Sequence, residues 1–125
     1  MTINTFLSLT SLLTSLAQTP LPIRTSYSIA KFLSATKEDY SFFQSRLSDF
    51  LQTYVARDEN NQPIRSSNGA GYVIQPDKRE EGIRAMNEIM NFEIETPELK
   101  IYYDDIKDIE LSPKDLMVLM PYIIT

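Results

Sequence analysis

The chain of 125 residues contains no cysteine and no histidine. Without thiols it has no disulfide, no thiolate metal site and no cysteine nucleophile. Without imidazole it also lacks the usual zinc, copper and haem ligands, the His-dependent triads, and the one side chain that titrates naturally near neutral pH. Most common enzyme mechanisms are thereby removed, and the expectation is a protein that is not an enzyme, with no metal and no cofactor. Side-chain charge is absent from the first 23 residues, and the chain as a whole is acidic, with a net charge of -5. That balance argues against binding of extended nucleic acid, which needs several clustered Lys and Arg contacts. It leaves room for a small local anion site.

The uncharged start is not expected to be a signal peptide or a membrane span. Ser8, Thr10, Ser11, Thr14 and Ser15 interrupt its leucines, no basic segment precedes them, and Pro20 and Pro22 follow. A secretory signal needs an unbroken apolar core, and a span needs ~20 apolar residues. The expectation is therefore no membrane, and a place inside a cell or in a particle. Phe6, Leu9, Leu13 and Leu16 fall at helical spacing with Leu12 beside them, which predicts a first helix that ends before Pro20.

Residues 23–62 contain neither glycine nor proline. Within them Leu33, Tyr40, Leu47 and Tyr54 are each seven apart, and Phe43 and Phe50 follow Tyr40 and Leu47 by three. Apolar residues at such a repeat mark one side of a helix that seeks a facing helix. A single helix over about 23–57 would span ~52 Å, beyond the diameter of roughly 35 to 40 Å expected of a compact globule of this size. Leu33, Tyr40, Phe43, Leu47, Phe50 and Tyr54 are therefore expected at an interface with a second copy, in a dimer or higher homo-oligomer. A break near Ser34 to Thr36 is the competing expectation.

Beyond that stretch, Arg57 to Pro63 reads as a polar turn and Ser66 to Gly71 as a loop able to adopt positive φ. Tyr72 to Ile74 is a short strand candidate. Asp77 with Glu80 three residues later predicts a capping box for a helix to about Asn91. From Phe92 the period alternates through Ile94, Leu99, Ile101 and Tyr103, which predicts two strands, with Ile106 to Leu111 a third. Ser112, Pro113 and Asp115 supply the N-cap, N1 and N3 positions of a last helix with Leu116, Leu119 and Met120 inward. The fold class expected is α+β: an N-terminal helical hairpin with one long helix, then a small antiparallel sheet with one or two short helices. Its expected division is a helical oligomerisation region at 1–57, a loop at 58–76 and a small α+β region at 77–125, in one cooperative domain.

The run Leu21-Pro22-Ile23-Arg24-Thr25-Ser26-Tyr27-Ser28-Ile29-Ala30-Lys31, the turn with Asp58, Glu59, Asn60 and Pro63, and the ending Ile109-Glu110-Leu111-Ser112-Pro113 together carry a resemblance. In their order they look like a family of small bacteriophage proteins known as domain of unknown function 1617. The Ser66 to Gly71 segment departs from that pattern. The resemblance implies a phage origin, hence a location in the host cytoplasm or the virion, and assigns no catalytic residue.

Two groups of residues are candidates for chemistry, and the apolar run Leu116 to Ile124 is a third candidate, as a surface for docking a partner, with core packing as the alternative. Arg57, Arg65, Lys78, Arg79 and Arg84 bracket Ser66, Ser67, Asn68, Gly69 and Gly71, and Tyr72 follows. Arg forks, hydroxyls and backbone N–H groups of a glycine-containing turn are the donors a phosphate needs, and an aromatic ring can stack a base. The spacing matches neither a Walker loop nor a dinucleotide fingerprint, and the alternative is a solvated connector. The second group is the acidic run Asp104, Asp105, Asp108 and Glu110. With Glu93, Glu95 and Glu98 just before it, it reads as a solvated acidic face or a strand edge protected by charge; the alternatives are a hard-cation site, for which the Asp-x-Asp-x-Asp-Gly spacing is missing, an acid/base carboxylate pair, which no spacing singles out, and a face for a basic partner. These observations lead to the expectation of a non-enzymatic, homo-oligomeric phage protein that antagonises a host defence system, with a small nucleotide or a host protein as its partner. The rival expectation is a virion or morphogenesis component.

Overall fold

A computed structural model of the chain describes residues 1–67, 69 and 71–125. The chain forms two compact units, one of residues 1–39 with 93–125 and the other of residues 40–92. Helices occupy most of the fold and the paired strands are short, so the class is α+β.

The first unit is built on helix α1 (Ile3–Leu16) and helix α2 (Ile23–Ala35). Thr2 caps α1 by accepting the N–H of Thr5 on its hydroxyl, which supplies one of the partners that the first turn of a helix lacks. Phe6, Leu9, Leu13 and Leu16 are buried on one side of α1, as their spacing predicts, and pack with Ile29 and Phe32 of α2. The rest of this core comes from far along the chain: Leu99, Ile101, Ile106 and Leu119. Ile101 and Tyr102 form strand β1, Tyr103–Ile106 a single helical turn α5, and Pro113–Leu119 helix α6. Ser112 caps α6 through the N–H of Asp115, and Pro113 stands at its first positions, as the sequence predicts. Ile123 and Ile124 then form strand β2.

Strands β1 and β2 pair in parallel, Ile101 with Ile123 and Tyr102 with Ile124, which corrects the expected antiparallel sheet. The reason is that the alternation of residues 99–103 finds no partner in the segment next to it in sequence. Tyr103–Ile106 coils into α5 instead of continuing, and the partner comes from the C-terminal apolar run after Pro121. Of the strand expected at Phe92 and Ile94 there remain an isolated bridge between Thr2 and Glu93 and the exchange of N–H and C=O between Ile94 and Met1.

The single long helix expected over 23–57 is also corrected. It is two helices, α2 and α3 (Lys37–Tyr54), interrupted at Thr36. Thr36 is buried, and its hydroxyl donates to the carbonyl of Phe32 at 2.9 Å while its own N–H reaches the same carbonyl at 3.1 Å. A threonine that bonds back onto the preceding turn competes with the helical ladder. Glu38 and Asp39 follow in the first turn of α3, where carboxylates favour a new helix start. The pieces are about 20 Å and 27 Å long instead of ~52 Å.

The second unit holds α3 from Tyr40, a set of extended segments and helix α4 (Arg79–Met90). Ala56, Ile64 and Val73 close a ring of backbone hydrogen bonds: Ile64 donates to Ala56, Ala56 to Val73 and Val73 to Ile64, at 2.8 to 2.9 Å. Antiparallel bridges at Val55 and Ile74, Arg57 and Pro63, and Arg65 and Tyr72 flank it. The turn at 58–62 is held by Asp58, whose carboxylate accepts the N–H groups of Asn60 and Gln62, with Asn61 at φ 61. Pro76–Lys78 is a turn of 3-10 helix leading into α4, whose cap residue is Lys78 with no side-chain hydrogen bond. The expected Asp77 capping box is therefore absent, because the extra 3-10 turn shifts the helix start past it. Gly82, the interior glycine of α4, is buried where the helix meets Ile74 and Tyr54.

Candidate functional site

The predicted ligand residues all lie in the second unit, and the structure brings only some of them together. Tyr72 and Arg79 line one open cleft of ≈ 450 Å³ with Val73, Ile74, Pro76 and Ile83. Arg65 is exposed, and its guanidinium carbon lies 4.9 Å from the Tyr72 ring centroid. The pairing of Arg65 with Tyr72 across the hairpin sets that geometry, since paired residues share a side of the ribbon. Arg79 opens α4, and the first turn of a helix is where its dipole favours an anion.

Among the other predicted residues, several make local contacts or line a different surface. Arg57 donates to the carbonyl of Asn61 at 2.9 Å and so ties down the 58–62 turn. The Ser66 hydroxyl accepts the N–H of Gly71 at 3.1 Å, and Ser66 and Gly71 also join through their backbones. Gly69 has φ 70, which a side chain would resist, and its N–H reaches the Ser66 carbonyl. Ser67 is exposed in the same turn, and Asn68 lies outside the described residues. Arg84 lines a separate surface hollow of ≈ 570 Å³ with Glu80, Ile83, Asn87, Glu88 and Asn91, all of them on one face of α4.

The residues of the seven-residue repeat also separate. Leu33 belongs to α2 and packs against the core of the first unit. Phe43 and Phe50 are buried within the chain's own fold, Leu47 and Tyr54 are half-buried, and Phe50 stacks near Tyr54 with centroids 5.5 Å apart. Of the six, Tyr40 is the exposed one. The repeat is thus divided between α2, which carries Leu33, and α3, which carries the other five. Phe42 and Phe92 are exposed instead, with ring centroids 5.6 Å apart.

Sequence reasoning missed the most organised polar cluster, which lies in the first unit. Arg24 holds Asp105 through two parallel contacts, Nε to Oδ2 and Nη2 to Oδ1, each 3.0 Å. Thr25 adds its hydroxyl to Oδ2 at 2.6 Å, and the Arg24 guanidinium lies 4.1 Å over the ring of Tyr102. Asp105 belonged to the acidic run read as a solvated face, yet its side chain is 6% exposed. Its neighbours in that run, Asp104 and Asp108, are exposed, and among the described residues no group of three acidic side chains gathers as metal ligands. The signal in the sequence was indirect. Helix α2 starts after Pro22 with no side-chain cap and no acidic residue in its first turn, so a carboxylate from elsewhere complements it.

Hydrogen bonds from Arg24 first and Thr25 second hold the Asp105 carboxyl below the usual carboxylate range. A depressed pKa in the folded state contributes stability above the unfolded value and loses it as pH falls through the folded one. Asp105→Asn is expected to unfold at lower urea than the parent near neutral pH, with the difference shrinking below about pH 4, where the unfolded carboxyl protonates. Urea midpoints of both proteins across that range check this, and a gap that stays constant with pH would remove the carboxylate from the explanation.

Among the described residues no helix is long and apolar enough to cross a membrane. Compared with protein-family models, with curated proteins and with solved structures, the chain matches none.

Proposed function

We propose that this is a phage-encoded, non-enzymatic binding protein that self-associates and counters a host defence system by sequestering a phosphate-bearing nucleotide in the cleft beside Tyr72. The observation that carries the reading is the joint placement of Tyr72 and Arg79 in one cleft, with the Arg65 guanidinium carbon 4.9 Å from the Tyr72 ring centroid. A nucleotide needs an aromatic face for its base and fixed cationic donors for its phosphate, and these three residues offer both. The cleft volume of ≈ 450 Å³ falls in the range of small-molecule sites. Phage origin rests on the resemblance of the Leu21 to Lys31 run and the Ile109 to Pro113 ending. Self-association is supported by the exposed ring pair Phe42 and Phe92, since exposed aromatic surface favours burial against another protein surface.

Calorimetric titration with ribonucleoside monophosphates, triphosphates and cyclic nucleotides tests the ligand. Heat of binding for at least one of them is expected, weakened tenfold or more in Arg79→Ala, which removes a charge-assisted contact of about 1.5–3 kcal/mol. Silence across the whole panel would sink the nucleotide reading. The solution mass tests self-association separately, and a monomer at every concentration measured would remove that part.

A further inference from the structure

The first unit contains a second basic cleft, independent of the one beside Tyr72. One wall is helix α2, which presents Arg24, Tyr27, Ser28 and Lys31 at the spacing of a single helix face. The other wall is the extended segment 98–102, where Glu98, Lys100 and Tyr102 stand at alternate positions and so share a side. The walls are joined by long-range hydrogen bonds. The Lys100 N–H reaches the Ser28 hydroxyl at 2.8 Å, and the Tyr102 N–H reaches Thr25 Oγ1 at 3.3 Å. The space between them is ≈ 180 Å³.

Three cations and one carboxylate line this cleft, in a chain whose net charge is -5. The donors left over have a definite arrangement. Arg24 spends Nε and Nη2 on Asp105 and keeps Nη1. Ser28 Oγ accepts from Lys100, so its hydroxyl hydrogen is available to donate. Lys100 lies 2.9 Å from Glu98, whereas Lys31 is exposed, and among the described residues neither a hydrogen bond nor an ion pair holds it. The charge of Lys31 still reaches Glu98, where it adds to the dominant effect of Lys100 in lowering that carboxyl's pKa. A lysine kept unpaired beside an Arg clasp and a fixed hydroxyl has the chemistry of an anion cradle.

We propose that this cleft binds a phosphate group, with Lys31 Nζ, the Ser28 hydroxyl and Arg24 Nη1 as its donors. Three donors from two residue turns of α2 suit the several oxygens of a tetrahedral dianion better than the two of a carboxylate. Tyr27, 64% exposed on the same helix, provides a flat surface for whatever carries the phosphate. Asp105 keeps the Arg24 guanidinium in position and leaves it a donor.

Amide chemical shifts of the labelled protein, followed on addition of inorganic phosphate and separately of ribose 5-phosphate, test the proposal. Saturable shifts are expected in residues 24–31 and 98–102. Tighter binding of the ester would assign the ligand to the phosphomonoesters, and equal binding would assign it to free phosphate. Lys31→Glu is expected to abolish the shifts, and Lys31→Ala to weaken binding about tenfold, the loss of one charge-assisted hydrogen bond. Both variants should keep the parent's circular dichroism and thermal midpoint, because among the described residues Lys31 makes no hydrogen bond or ion pair. Arg79→Ala, in the other unit, should leave these shifts intact, so failure here and failure of the nucleotide reading are distinguishable. Shifts that survive Lys31→Glu, that vanish in Arg79→Ala, or that sodium chloride reproduces at equal ionic strength would overturn the proposal, as would the absence of shifts with both phosphates.

Discussion

Replacing Phe32 by alanine should lower the free energy of unfolding by about 3–5 kcal/mol, the usual cost of truncating a fully buried phenylalanine. Phe32 is 0% exposed and lies in the cluster that joins α1 and α2 to Leu99, Ile101, Ile106 and Leu119. Its loss would leave a cavity where two segments remote in sequence meet, and neither the helix pair nor the 99–106 segment can close it without moving the other. Against a total stability of about 5–15 kcal/mol for a protein of ordinary stability, the change is large. It should appear in urea titration as a lower midpoint with an unchanged slope. Ile23→Ala is the matched control: Ile23 is on the same helix and 84% exposed, so a change within about 0.5 kcal/mol is expected. A Phe32→Ala cost as small as that of Ile23→Ala would mean that the core is not packed around this ring.

The contrast between those two residues also separates what the sequence made legible from what it did not. Local features were readable: the buried side of α1, the proline boundary before α2, and the Ser112 cap with Pro113 all follow from spacing within a few residues. The break at Thr36 was readable only as an alternative, because nothing in the local sequence separates a buried threonine that stays inside a helix, as Thr25 does in α2, from one that interrupts it. Strand pairing was not readable. Ile101 has the alternation of a strand, but its partner is Ile123, in a run whose apolar residues fit a helix equally well. The candidate sites divide in the same way. Tyr72 and Arg79 are close in sequence and meet in one cleft, whereas Arg57 and Arg84 were grouped with them by charge alone and go elsewhere. Arg24 and Asp105 are 81 residues apart, and no local pattern could pair them.

Gly82 gives the second large expected effect, and it links packing to the cleft. In the sequence this glycine reads as a cost to α4 of ~1 kcal/mol relative to alanine. In the fold it is where the helix approaches its neighbours: a Cβ there would lie 2.8 Å from Cγ2 and 3.1 Å from Cδ1 of Ile74, and 3.4 Å from Cβ of Tyr54. Cγ2 is a branch methyl close to the backbone, and Ile74 is held by its bridge to Val55, so the neighbour has little freedom to retreat. Gly82→Ala should therefore lose more to overlap than it gains in helix propensity. Gly82→Val, with two further methyls, should destabilise by about 1–3 kcal/mol or more through overpacking. Because Ile74 and Ile83 both line the cleft with Tyr72 and Arg79, the displaced segment should also weaken any ligand bound there. A double-mutant cycle isolates the contact. In an Ile74→Ala background the overlap is relieved and Gly82→Ala should become stabilising, with a coupling of about 0.5–3 kcal/mol. If instead the two substitutions add without coupling, the glycine serves something other than this close approach.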